Sequence, residues 1–247
     1  MSKHNYEINI NNMKKKFLFA LLPMVAVLLT SCSKSDSDDS DVQDERLESV
    51  VPAQYQSTLL KHMPYYKGVN PPILEGNTYL ISPTVLAYNS IETDTVYKPG
   101  KLFNDIYIQL TNQNTKRNTI DFVGYEINKS GKRTGDSVGD GAFISGEGNN
   151  FTIFMTTTYS LNNATMKRAL IISGTKTDQG LTDLYYGFLC VEKDDPNNKL
   201  MKVGEYRIFK DKDGLVELTT HSSNLTRVLY GDSEGLETYE LSSGAAK

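Results

Sequence analysis

The chain has 247 residues, with 26 basic and 30 acidic side chains, a formal net charge of −4 and no tryptophan. A mildly acidic chain with no Lys/Arg cluster beyond position 34 lacks the electrostatic footprint that a phosphate backbone requires, which excludes nucleic acid as a partner. Its length is enough to bury a sizeable core.

Lys14-Lys15-Lys16 runs into the uncharged apolar stretch Phe17 to Leu29, which ends at Thr30-Ser31-Cys32. A basic start, a short apolar segment and small residues before a cut site are the layout of a secretory signal peptide, and the stretch is shorter than the roughly 20 residues a helix needs to cross a bilayer. Residues 1–31 therefore read as an export signal. Met1 to Asn12 is polar and Asn-rich, unlike the start of such a peptide, so Met13 is the expected true start. Leu29-Thr30-Ser31-Cys32 resembles a lipobox. That resemblance implies cleavage before Cys32 and a lipid on its thiol, and with it a membrane as partner through the N-terminal anchor.

With Cys32 lipidated, only Cys190 remains and no internal disulfide can form. Cys190 sits in the apolar run Tyr185 to Val191 and reads as a small buried hydrophobe. One free cysteine with His62 and His221 cannot assemble a zinc site of the usual N/S type, and neither a metal nor a cofactor is expected.

Residues 32–51 open with Ser33 to Asp41, a run without an apolar residue. Such a run cannot offset its ordering entropy by burial, so this stretch is expected to be a flexible acidic tether. An acidic patch this close to the cysteine resembles the export signal of Bacteroidetes surface lipoproteins. The resemblance implies an outer-membrane, lipid-anchored protein facing the cell surface; a periplasm-facing location is the alternative. Within 52–72, Pro52 suits a first helical turn, Tyr55, Leu59 and Met63 recur at four-residue spacing, and Pro64 stops the pattern. One short helix over about 53 to 63, followed by a linking loop to Pro72, is expected.

From Ile73 to the end at residue 247 the pattern becomes short β-branched and aromatic runs separated by Gly, Asn, Asp and Lys clusters. Ile106 to Leu110 and Phe151 to Met155 alternate, as strands with one face on a core do. Ala169 to Ile172 and Leu184 to Val191 are apolar on both parities and read as central strands. In Ile120 to Ile127 the parity switches near Val123-Gly124, which suggests a bulge. Turn signals between these runs imply an all-β domain over 73–247 of eight to ten antiparallel strands. A closed barrel removes the edges of such a sheet, and a β-sandwich is the alternative. Gly76-Asn77-Thr78-Tyr79 after a Pro-rich lead-in, and the pairing of Gly146 to Met155 with Ala169 to Thr175, resemble the small lipocalin-like barrels of Bacteroidetes lipoproteins. That family's opening Gly-x-Trp is absent here.

No catalytic constellation emerges, and the chain is not expected to be an enzyme. Gly135-Asp136-Ser137-Val138-Gly139 matches the Gly-x-Ser-x-Gly string of hydrolases, but that string needs a strand before it and a helix after it. Here a basic hairpin, Lys129 to Arg133, precedes and a strand at Ala142 to Ile144 follows. Asp211-Lys212-Asp213-Gly214 lacks the rest of a calcium loop and reads as a turn. Asp94-Thr95-Val96 and Asp136-Ser137-Val138 resemble the O-glycosylation acceptor motif of exported Bacteroidetes proteins, which makes Thr95 and Ser137, in predicted loops, candidate modification positions. Tyr185 and Tyr186 should point to opposite faces of one strand, and aromatic hydroxyls of this kind make them candidate ligand contacts. The expectation is a small-molecule or glycan binding barrel; the alternative is a non-catalytic module that docks on another outer-membrane protein.

Overall fold

The computed structural model describes residues 39–161 and 164–219. Two helices come first, α1 (Asp39–Val50) and α2 (Ala53–Leu60). Eleven strands follow: β1 (Val69–Asn70), β2 (Thr78–Ile81), β3 (Thr84–Asn89), β4 (Asp105–Asn114), β5 (Thr119–Ile127), β6 (Arg133–Glu147), β7 (Asn150–Leu161), β8 (Ala164–Lys176), β9 (Gly180–Asp194), β10 (Tyr206–Asp211) and β11 (Leu215–Thr219).

Neighbouring strands pair antiparallel in a meander from β4 to β9, and β11 then pairs with both β9 and β2, so β2, β4 to β9 and β11 close a ring of eight strands. β10 pairs with β9 and β3, extending the sheet beside the closure. Closure leaves few unpaired edges, as expected for an all-β chain of this kind. The ring excludes two separate packed sheets.

Both partners at the seam are interrupted at the same height. Pro83, which has no N–H to offer a ladder, separates β2 from β3, and residues 212–214 separate β10 from β11. The Asp211 carboxylate ties the two breaks together by accepting from the N–H groups of Ser82, Asp213 and Gly214, and Lys212 N–H donates to the Pro83 carbonyl. Asp211-Lys212-Asp213-Gly214 is thus a turn, as its sequence suggests.

Alternation along the strands sorts residues into two apolar layers. Inward positions, among them Phe122, Phe151, Ile153, Ile172, Phe188 and Phe209, fill the interior. Outward positions on β7 to β10, including Phe154, Ile171, Leu189 and Ile208, are covered by Leu47, Val50, Val51, Leu59 and Met63 from the helical segment. The second half of the expected tether is therefore helix α1 and not a flexible chain. Leu47, Val50 and Val51 come after the Ser/Asp run and supply the burial that this run lacks.

Two further expectations change. The bulge in β5 is absent at Val123-Gly124; register shifts fall between Ile120 and Phe122 and between Glu126 and Ile127. The parity switch arises because Tyr125, on the outer face, is buried by stacking on Tyr107 at 4.8 Å and under Arg133. The Gly135 to Gly139 string lies within β6, so Ser137 is a strand residue paired opposite Gly124 and not a loop residue. The hairpin itself is confined to the turn at 128–132.

Candidate ligand site at the mouth of the ring

Strand direction places loop 90–104, the 128–132 turn and the 195–205 connection at one end of the ring, the mouth. Asp94 organises the first of these. Its carboxylate accepts from the N–H groups of Val96 and Tyr97, each at 2.9 Å, from Asn89 Nδ2 at 3.0 Å and from Arg207 Nη2 at 3.1 Å. Burial alone would raise this carboxyl, but those four donors together hold it below the usual carboxylate range. Arg207, fully buried on β10, also lies 4.3 Å from the Tyr97 ring centre. Further along, residues 100–103 hydrogen-bond to β3, with Leu86 N–H donating to the Lys101 carbonyl and Phe103 N–H to that of Thr84. The loop is thereby fastened across the mouth at both of its ends.

Between this loop and the 128–132 turn lies a cleft of about 400 Å³. Tyr97, Leu102 and Phe103 give it an apolar wall, and Lys101, Asn104, Asn128, Lys129 and Ser130 supply polar groups. The Tyr97 and Phe103 rings are stacked 5.8 Å apart, and Lys101 Nζ sits 4.0 Å above Tyr97. Asn104 donates to Glu126 Oε2 at 3.3 Å, and Glu126 lines a second, inner void.

That void is about 10 Å³, room for about one water molecule, and is lined by Ser137, Tyr159, Arg168 and Tyr186 besides Glu126. Arg168 Nη2 donates to Ser137 Oγ at 2.7 Å, and its guanidinium carbon lies 5.1 Å from the Tyr159 ring centre and 5.3 Å from that of Phe188. The Tyr186 phenol is pushed up to about 12 by burial, against the opposing pull of Arg168, with Glu126 adding to the rise and a Ser137 hydrogen bond reducing it. A cleft of about 590 Å³ at the opposite end is lined by Pro72, Ile73 and the residues of two hairpin turns, with Lys176 Nζ donated to the Ile73 carbonyl. Its walls carry no aromatic side chain.

Of the residues singled out from sequence, Cys32 and His221 lie outside the described residues. Thr95 is exposed on loop 90–104, where its neighbour Asp94 is wholly engaged inside. Tyr185 and Tyr186 do take opposite faces: Tyr185 packs with the outer layer under the helices, and Tyr186 points inward. Ser137 and Tyr186 come together on the same void. Cys190 is buried in the interior, and burial pushes its thiol up to about 11. His62 stacks on Tyr88 at 3.6 Å as part of the helix docking. Among the described residues no cluster of three or more His, Cys, Asp or Glu could hold a metal ion.

Sequence reading missed Arg168, Arg207 and Asp94. Arg207 was detectable as a charge inside the apolar run Tyr206 to Phe209. Arg168 is in phase with the inward residues Met166, Leu170 and Ile172 of β8, so the two-residue alternation alone would have pointed it inward.

No family model matches this chain, and neither a curated protein nor a solved structure matches it significantly.

Proposed function

We propose that the chain is an exported, lipid-anchored binding protein that takes a small molecule or a short glycan at the mouth of its ring. The observation that carries this reading is the 400 Å³ cleft with its stacked Tyr97-Phe103 wall and its rim of Lys101, Asn104, Asn128 and Lys129. Its volume is in the range of small-molecule sites, which combine apolar walls with a few fixed polar groups. The deep interior is packed with side chains, so the mouth, and not the centre of the ring, is the place for a ligand. Anchoring through Cys32 would hold this mouth at the envelope, with the outer membrane as the expected location.

Native mass spectrometry of the chain purified from its own host tests the reading. A reproducible added mass, released by denaturation and reduced by Phe103→Ala, supports it. A bare mass together with no thermal shift across oligosaccharide and lipid panels rejects it.

A second reading, docking on another outer-membrane protein, rests on the apolar side chains that the mouth loops expose. Val96 is 53 % exposed, Leu102 48 % and Val203 48 %. Co-purification lost on replacing all three by Ser would favour it.

A further inference from the structure

The interior of the ring holds two buried arginines with opposite electrostatic situations. Arg207 is paired with Asp94 at 3.1 Å. Arg168 is 4 % exposed and forms no ion pair among the described residues. Its Nη2 donates to Ser137, while its Nε–H is buried and has no hydrogen-bond partner among the described residues. Directly opposite in the β7–β8 register, Thr157 Oγ1 is a second buried polar atom without a partner. Burying an uncompensated charge is costly, and buried charges are paired as a rule. The orphaned Nε–H of Arg168, the Ser137 and Tyr186 side chains and a void of about 10 Å³ fall in one place. Carboxylate is represented in the lining by Glu126, which Asn104 holds toward the mouth cleft. At the Tyr186 hydroxyl the field of Arg168 outweighs that of Glu126.

We propose that the void beside Arg168 binds one small monovalent anion, a halide ion or a single carboxylate oxygen, which supplies the counter-charge that Arg207 obtains from Asp94. Arg168 Nε–H and the Ser137 and Tyr186 hydroxyls are its donors. The void's size sets the limit: one atom of roughly water dimensions fits, and sulfate, phosphate or a sugar does not. The anion stabilises the folded chain by mass action, because the unfolded chain has no such site. This holds whether or not the mouth cleft carries a ligand.

The test is thermal unfolding of the full mature chain in sodium chloride, bromide, acetate and gluconate at equal ionic strength, with bromide-soaked crystals examined for anomalous scattering. Chloride and bromide are expected to raise the midpoint above gluconate by roughly 2–4 °C, with a bromide peak beside Arg168. Arg168→Met, which keeps length and removes the charge, is expected to abolish the difference while folding to the same ring; Tyr186→Phe, the milder variant, is expected to reduce it. A rise with halides alone assigns a free ion, and an equal rise with acetate assigns a carboxylate end. Identical midpoints in all four salts with no bromide peak, or an undiminished halide effect in Arg168→Met, overturn the proposal and leave the Tyr159 and Phe188 rings to compensate the charge.

Discussion

Arg207 and Asp94 meet inside the mouth of the ring, Nη2 to Oδ2 at 3.1 Å, with side-chain exposures of 0 % and 4 %. Through this contact a loop residue and a strand residue 113 positions apart fix loop 90–104 over the end of the sheet. Removing one partner of a buried pair leaves the other charge uncompensated, at about 3–5 kcal/mol. Asp94→Ala is expected to lose that much unfolding free energy in urea. Thr95→Ala, one residue further on and exposed, is expected to stay within about 0.5 kcal/mol of the parent. Similar losses for both would show that the pair does not hold the loop.

Acid should act through the same residue and through Asp195. Burial works to raise the Asp195 carboxyl, but the Leu200 and Lys199 N–H groups and Lys193 outweigh it and bring it down to about 2. Both Asp94 and Asp195 are thus depressed in the folded chain. Their contribution is complete above the unfolded value, near 3.9, and is lost as pH falls through the folded values. The unfolding midpoint is expected to drop steeply between about pH 4 and pH 2, with a shallower drop in Asp195→Asn. A profile flat to pH 2 would contradict both assignments.

The helical segment is predicted to be integral to the ring's stability. Leu59 is fully buried against the outer layer, and replacing such a side chain by Ala costs about 2–5 kcal/mol. Leu59→Ala should lower the denaturation midpoint by that amount without changing strand content by circular dichroism. Deleting residues 39–51 should expose the outer face of β7 and raise binding of an apolar dye.

Modification should discriminate between the two acceptor-like triplets. Thr95 is exposed on a loop held rigid by Asp94, whereas Ser137 lies within β6 with its oxygen accepting from Arg168. Any O-linked glycan on the chain isolated from its host is expected at Thr95. Intact-mass analysis should show the added mass disappear in Thr95→Ala and persist in Ser137→Ala; the reverse result would mean that β6 is accessible to the transferase before the ring closes.

A ligand at the mouth should depend on Phe103 and not on the far end. Phe103→Ala is expected to weaken binding about tenfold, equivalent to about 1.4 kcal/mol, while Ile73→Ala at the opposite cleft leaves affinity unchanged. Titration calorimetry with the compound recovered from the host separates the two sites.

Alternation in Ile106 to Leu110 and Phe151 to Met155, the two-sided apolar runs of β8 and β9, and the turn clusters between them made the all-β class legible from sequence. Such features are local: a two-residue period and a turn residue state which face is buried without reference to the rest of the chain. The opposite orientations of Tyr185 and Tyr186 follow from that period alone. The Ser/Asp run likewise marks where burial is impossible, but it could not show that Leu47, Val50 and Val51 just beyond it would find an apolar surface on β7 to β10. That surface exists only once the strands are in register. The same limit hid the site. The two-residue period places Arg168 on the inner face with Met166 and Leu170, but whether such a charge meets a counter-charge depends on which loop folds over it. Asp94 reaches Arg207 and no carboxylate among the described residues pairs with Arg168, a difference that ring closure and loop placement decide and that the spacing of residues along the chain does not contain.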